Sequence, residues 1–398
     1  MKCDITIIGA GIVGLSTAYK ILKKKPNLKV VILEKENDIV KHQSGNNSGV
    51  IHSGVYYKPG SLRATNCING YNQLLQFCKE EDIKHEVCGK IIVATKESDL
   101  VHLKEVFRKG EANGLTGLKL IGKAEMLEIE PHVNGIEAIY VPQAGICDYP
   151  GVAKRLKEKF IAAGGTIKFG EKVIDASLGK CTNIVTPKDN YECKLAINCA
   201  GLYADKVAKL TVNKVGLKIL PFRGEYYELK EEKRHLVNHL IYPSPDPAFP
   251  WLGVHFTRRV DGAIEAGPNA VLAFRREGYK KSDIHLGEFA ETITYSGFLK
   301  LAGKYWKQGY GEFKRSFSKS AFTKALQALM PEITEDDLVP GGAGVRALCC
   351  YPDGSLVDDY IFADAKGVIN VLNAPSPAAT SSLSIGDTIC EMALNKMK

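Results

Sequence analysis

Three adjoining stretches decide the fold: Cys3-Asp-Ile-Thr-Ile-Ile8, Gly9-Ala-Gly-Ile-Val-Gly14 and Leu28-Lys-Val-Val-Ile-Leu-Glu34. The first is an apolar run of strand length. The second is a G-x-G-x-x-G turn. Residues 14–24 follow with Leu15, Ala18, Tyr19 and Leu22 on one face, which is helical spacing. The third stretch is another strand, and it ends on an acid. Together they predict a β-α-β unit built around a dinucleotide. Gly9 permits the tight turn, Gly11 admits a pyrophosphate to the backbone, and Gly14 lets the helix pack against the strand. The helix N-terminus offers unpaired N–H groups and the positive end of a dipole. Glu34 stands 20 residues after Gly14, where a carboxylate accepts from ribose hydroxyls and repels a 2′-phosphate. NADP is therefore not expected. A glycine turn that binds nothing would have no use for this acid.

Working outward, the chain has 398 residues and a net charge of +8, with 45% hydrophobic and 25% charged residues. That composition belongs to a folded protein of about two domains, and excludes a disordered chain, a collagen and a disulfide miniprotein. The 11 cysteines are scattered without a C-x-x-C, and the chain runs from Met1 straight into a strand without a signal peptide. Reduced thiols in a cytosol-like compartment are expected. No apolar run approaches the roughly 18 residues of a membrane span. Lys23-Lys24-Lys25 and Lys280-Lys281 read as solvated faces, so no nucleic-acid partner is expected. Peripheral contact with an anionic membrane stays open.

The fingerprint alone does not choose between FAD and NAD. Residues 42–57, His-Gln-Ser-Gly-Asn-Asn-Ser-Gly-Val-Ile-His-Ser-Gly-Val-Tyr-Tyr, do. A simple NAD dehydrogenase would place another helix and strand here, whereas this small polar loop can pass beneath a flat ring and hydrogen-bond its edge. The chain has no second G-x-G-x-x-G and no paired cysteines, which argues against a flavin disulfide reductase. Further on stand Pro221-Phe-Arg-Gly-Glu-Tyr-Tyr227, Gly253-Val-His255, Gly267-Pro-Asn-Ala270 and Asn373-Ala-Pro-Ser-Pro-Ala-Ala379. With the N-terminal motif and the 42–57 loop, they resemble the FAD-dependent L-2-hydroxyglutarate dehydrogenases and oxidases, within the D-amino-acid-oxidase-like flavoproteins. The resemblance spans essentially the whole chain.

The resemblance implies an α/β fold: a discontinuous Rossmann-like FAD-binding domain (1–88, 146–215 and 335–398) with an inserted antiparallel-sheet substrate domain (89–145 and 216–334). It implies noncovalent FAD held by Gly9, Gly11, Ile12, Val13, Gly14, Glu34 and Lys35, then by Gln43, Ser44, Asn47, Ser48, Gly49 and Val50. Val173, Ala200, Gly201, Arg346, Pro377, Ala378, Ala379 and Thr380 complete the implied set. The local pattern agrees with this layout. Residues 66–81 and 151–163 read as helices, 89–95, 166–169 and 195–200 as strands, and a helix runs from Gly201 through 210. Strand patterns cover 219–229 and 251–267, helices fill most of 284–330, and a strand at 368–373 leads into a helix from about residue 377. That helix N-terminus would stabilise negative charge on a reduced flavin.

Oxidising a 2-hydroxy acid needs a hydride acceptor, a base for the hydroxyl proton and a cation for the carboxylate. His52, in the polar loop, is the first candidate base and His255 the second. Arg346 and Arg223 are the candidates for the carboxylate, because a guanidinium fork matches it, and Tyr226 lies near Arg223 on the same strand. A five-carbon dicarboxylate needs a second cation, drawn from Arg223, Arg258 and Lys319. His235 and His239 have i, i+4 spacing but no third ligand, so no metal is expected. Cys349-Cys350 are adjacent and are not a working dithiol. The reading is oxidation of L-2-hydroxyglutarate to 2-oxoglutarate, a metabolite-repair reaction, with electrons passed to oxygen or a quinone-type acceptor. The alternatives are a small amino acid or glycerol-3-phosphate as substrate on the same fold, or a flavoprotein that does not catalyse. No pattern specifies an oligomeric state.

Overall fold

In the computed structural model, residues 1–212, 214–246 and 253–398 are described. The expected β-α-β unit is present: strand Lys2–Ile8, helix Ile12–Lys24 and strand Val30–Glu34. Lys2–Ile8 lies between Asn190–Asn198 and Val30–Glu34, with Thr166–Phe169 beyond the latter and Val368–Asn373 beyond the former, all parallel. The hairpins Asp175–Leu178/Thr182–Val185 and Ile361–Ala365/Val368–Asn373 complete an eight-stranded sheet. Ile5, Ile7 and Ile32 are fully buried, as apolar runs in a parallel sheet covered on both faces must be. Helix Ile12–Lys24 packs on Tyr149–Ala162 and on the last helix, Ser382–Lys396. There a Cβ on Gly386 would meet the Ser16 side chain and backbone.

A second, nine-stranded sheet is mostly antiparallel. Its exception is Leu240–Pro243, which runs parallel to Lys90–Ala94. Its longest pairing joins Lys218–Leu229 to Leu338–Cys350. This corrects the expected boundary at 335, because 338–350 belongs to the second sheet and only the chain after it returns to the first. The strand expected over 251–267 begins at residues outside the described set, and resolves into His255–Arg258 and Ile264–Gly267.

Two helix starts differ from expectation. The helix expected at 66 begins at Leu62, because the Ser61 side chain accepts from the Ala64 N–H and caps it. The last helix begins at Ser382 rather than near 377. The intervening residues are spent on turns, in which the Ala378 N–H donates to the Pro375 carbonyl and the Ser381 N–H to the Pro377 carbonyl.

Candidate active site

A continuous cavity of ≈ 1790 Å³ runs from the carboxyl ends of the parallel strands to the face of the second sheet. Ligands of open α/β sheets bind at such strand ends. Ile8 and Gly9, Glu34 and Lys35, Ala200 and Gly201, and Leu372 and Asn373 line it from the first sheet. Gly224, Tyr226, Tyr242, His255 and Arg346 line it from the second.

Gly9 turns with φ +105°, and a Cβ there would lie 2.6 Å from the Cys199 carbonyl oxygen. Gly11 is the N-cap of the first helix, and that helix's first turn carries neither a capping side chain nor an acid. Its N-terminal dipole end thus carries no charge of its own to compete with a ligand phosphate. Ile12 and Val13 line the cavity beside it, and the Ile12 N–H donates to Ser44 Oγ at 2.9 Å. Glu34 is held at its strand end by the N–H groups of Ala10 (2.7 Å) and Glu36 (2.9 Å). That fixes its carboxylate at the wall while leaving lone pairs for ribose hydroxyls. Gln43, Ser44, Asn47, Ser48 and Val50 of the polar loop, Val173, and Pro377, Ala378, Ala379 and Thr380 of the C-terminal turns also face the cavity.

Two of the implied cofactor contacts do not line the cavity. Gly14 is behind it, where a Cβ would stand 2.1 Å from the Gly9 carbonyl oxygen, so its role is the close packing of helix on turn. Gly49 takes φ +70° in the loop, and its carbonyl accepts from the Cys147 N–H. Near the strand end, Lys35 Nζ lies 2.8 Å from Glu277 and also pairs with Glu36, and His42 contacts both acids. The Lys35 ammonium already pairs with both carboxylates of this group.

The reacting end is built by strand register. Arg346 lies directly opposite Phe222 on the paired strand, and Gly344 opposite Gly224. Directly opposed residues share a face, so Arg346 and the two glycines face the cavity together. Tyr226, two residues beyond Gly224, shares its face and lines the cavity wall, and the register shift opposite it falls at Gly341-Gly342 of the partner strand. Arg346 Nη1 donates to the Asn269 carbonyl at 3.4 Å. Among the described residues no carboxylate pairs with its guanidinium.

Period two sends Arg223 to the opposite face. It is 3% exposed, donates to Glu225 at 2.8 and 3.0 Å and to the Lys280 carbonyl, and does not line the cavity. Its candidacy for the carboxylate is corrected. Arg258 pairs with Glu86 and the Asn238 carbonyl, and Lys319 opens a helix away from the cavity. None of the three expected second cations reaches the site. His235 and His239 also separate. The segment is a 3₁₀ turn ending at Leu236, so i, i+4 residues do not share a face; His235 contacts the Glu232 carbonyl and His239 contacts Glu130.

Both candidate bases line the cavity. His255 Nδ1 is 2.9 Å from the Gly253 carbonyl oxygen. A carbonyl only accepts, so Nδ1 carries the proton and Nε2 carries the lone pair. The ring stacks on Tyr242 with centroids 3.9 Å apart. Burial pushes His255 down to about 3 against the pull of the Gly253 carbonyl, with the charges of Lys90 and Arg346 adding to burial. His52 is likewise held well below its ordinary value by burial and then by Lys90 and Arg63. No hydrogen bond from the described residues fixes its ring. Burial pushes Tyr226 up to about 12 although Arg346 pulls it down, so its phenol stays a donor. Sequence reasoning missed Tyr242 and Lys90. It quoted Tyr56 and Tyr57 in the loop, yet gave them no role.

Residues 4–392 match the family of FAD-dependent oxidoreductases named DAO. The chain belongs to this family. FAD is therefore its cofactor, and the cavity fits it: a glycine turn with no Cβ in the way, a helix start with a glycine N-cap and no acid in its first turn, and an anchored strand-end acid, in the order a dinucleotide requires. The chain is 54% identical over 398 residues, the full length of both, to an L-2-hydroxyglutarate dehydrogenase of Indibacter alkaliphilus. It is 41% identical to the enzyme of that name from Escherichia coli K12, over 96% of this chain and 91% of the relative. Among solved structures, L-alpha-glycerophosphate oxidase from Mycoplasma pneumoniae superimposes with a TM-score of 0.81 at 21% identity, covering 99% of this chain and 95% of that one. Glycine oxidase from Geobacillus kaustophilus follows at 0.75 and 15% identity, over 99% and 95%. At those identities the likeness concerns the fold. The amino-acid and glycerol-3-phosphate alternatives are not favoured, because these relatives at 54% and 41% identity are named L-2-hydroxyglutarate dehydrogenases.

Proposed function

We propose that this flavoenzyme oxidises L-2-hydroxyglutarate to 2-oxoglutarate, with Arg346 binding the C1 carboxylate and His255 taking the hydroxyl proton. The observation that carries the reading is a guanidinium with no carboxylate partner among the described residues, facing a cavity it shares with an imidazole of fixed tautomer. Arg346 presents its fork to the carboxylate, and the Tyr226 phenol donates beside it. These contacts hold C2 in one orientation, which makes the reaction stereospecific. His255 Nε2 accepts the proton as the C–O bond becomes a carbonyl. When bound, FAD supplies the two-electron acceptor for the C2 hydride. His52 contributes a second neutral imidazole to the wall, and its backbone N–H donates to Thr380 Oγ1, tying the polar loop to the C-terminal turn.

The electrons then pass to oxygen or to a quinone-type acceptor. No helix among the described residues is long and apolar enough to cross a membrane, and the 11 cysteines are free thiols. The free thiols support a place in the cytoplasm. Trp306, Tyr310 and Phe317 are 63–71% exposed on the helix Trp306–Phe317, which also carries Lys307, Lys314 and Arg315, and this supports peripheral contact at the inner face of the membrane.

The test is anaerobic. Purified yellow protein is mixed with L- or D-2-hydroxyglutarate, and oxidised-flavin absorbance is followed. Bleaching by the L form alone is expected. Protein that keeps its flavin and is bleached by neither enantiomer would refute the substrate.

A further inference from the structure

One group of buried polar atoms beside the reacting end has no part in the chemistry above. Lys90 begins the strand Lys90–Ala94 and is 1% exposed. Its Nζ lies 3.8 Å from the ring centroid of Tyr242 and 5.6 Å from that of Tyr56. Among the described residues no carboxylate pairs with it. The Tyr56 hydroxyl is buried and has no hydrogen-bond partner among the described residues. Tyr56 and Tyr242 both line the cavity, whereas Lys90 stands behind them. A buried ammonium without a counter-ion and a buried phenol without an acceptor are each costly. One anion at this wall would satisfy both. The substrate has two carboxylates, Arg346 accounts for one, and the cations expected for the other point elsewhere.

We propose that Tyr56 and Lys90 form the subsite for the distal carboxylate, with the Tyr56 O–H donating to it and Lys90 acting as a positioning residue through the rings of Tyr56 and Tyr242. An ammonium over an aromatic ring draws on its electrons, which makes the phenol a stronger donor. The proposal rests on a dicarboxylate substrate and explains how the site would prefer one. Burial lowers Lys90 to about 7. The groups around it are the two tyrosine rings, His52 and His255, both held neutral, and the thiols Cys67 and Cys88. Arg346 acts on the His255 end of the cavity. Above neutrality the ammonium loses its proton and with it the attraction for a second negative charge. A bound dianion draws the proton back.

The experiment compares anaerobic flavin reduction by L-2-hydroxyglutarate and by L-2-hydroxyvalerate, which has the same chain length but a methyl end. Wild type, Tyr56→Phe, Lys90→Met and Lys90→Arg are each measured from pH 6 to 9. Tyr56→Phe and Lys90→Met are expected to lower the preference for the dianion by about tenfold or more, the worth of one charge-assisted hydrogen bond, with KM carrying the change. In wild type, KM for the dianion rises through neutrality while KM for the monoanion stays level. Lys90→Arg, charged throughout, keeps the preference and flattens the rise. A purely structural Lys90 would instead lower FAD content and slow both substrates alike. Unchanged preference in variants that retain FAD, or a wild-type KM level with pH for both substrates, overturns the proposal. If Lys90→Met does not hold FAD, Tyr56→Phe and the wild-type profile decide. A wild type that L-2-hydroxyglutarate does not reduce refutes the substrate reading first, and the subsite with it.

Discussion

Acidification tests whether the reaction runs on the neutral His255 imidazole. A solvent-exposed histidine titrates near 6.5. At pH 5 only about 3% of such a base would remain unprotonated, so its rate would fall about thirtyfold from the alkaline plateau. Burial, aided by the charges of Lys90 and Arg346, pushes His255 down to about 3. At pH 5 about 99% of it is then still neutral, and the base costs the reaction almost nothing. The substrate sets a weaker limit: a glutamate-like carboxyl near 4.3 is less than about a fifth protonated at pH 5. The assay is stopped-flow anaerobic reduction at substrate concentrations below saturation. The second-order rate constant then reports the free enzyme. From pH 8 to 5 it should not fall by more than about threefold, and it rises where Lys90 regains its proton. His255→Ala should lower the plateau by about 10²- to 10⁴-fold with little change in KM, and His52→Ala by much less. An acid limb centred between 6 and 7, or equal losses in the two alanine variants, would show that the neutral, tautomer-locked His255 is not the base.

Three further outcomes follow from the geometry. Arg346→Lys keeps the charge but loses the fork, and should raise KM for L-2-hydroxyglutarate by about ten- to a hundredfold; steady-state kinetics check it. Gly14→Ala sets a methyl 2.1 Å from the Gly9 carbonyl oxygen, so the helix must move off the phosphate turn. The purified protein should lose most of its bound FAD, read as the ratio of 450 to 280 nm absorbance, and stability should fall by about 1–3 kcal/mol. Arg223→Met takes the bidentate contact from Glu225 behind the second sheet and leaves it Asn269 Nδ2 at 2.8 Å and Lys281 at 3.9 Å. Loss of these charge-assisted hydrogen bonds costs about 1.5–3 kcal/mol, seen as a lower Tm, while KM in the surviving folded protein stays at the wild-type value.

The first half of the site was legible because its logic is local. Gly9, Gly11 and Glu34 lie within one β-α-β unit, and each is required by the conformation or contact at its own position. The 42–57 loop was readable for a similar reason, since its small polar residues suit a flat ligand whichever way the chain continues. The C-terminal turn was harder. Pro377 is an ordinary helix opener, and nothing nearby shows that two successive turns come before Ser382.

The reacting end was legible in residue type and not in direction, and strand register is the reason. Arg223 and Arg346 look alike as candidates: each is an arginine in a glycine-flanked strand. What separates them is that Arg346 sits opposite Phe222. This places it one residue out of phase with Arg223, and in a pleated strand one residue means the opposite face. No local pattern reports that pairing, because the partner strand lies more than a hundred residues away. Lys90 was passed over for the converse reason. A lysine at the start of an apolar strand is ordinarily a solvated end, and it becomes a buried cation only because Tyr56 and Tyr242, from two distant segments, close over it. Charges at this site therefore take their roles from what the sheet sets against them. A sequence alone supplies the cations; the register decides which of them can meet a carboxylate.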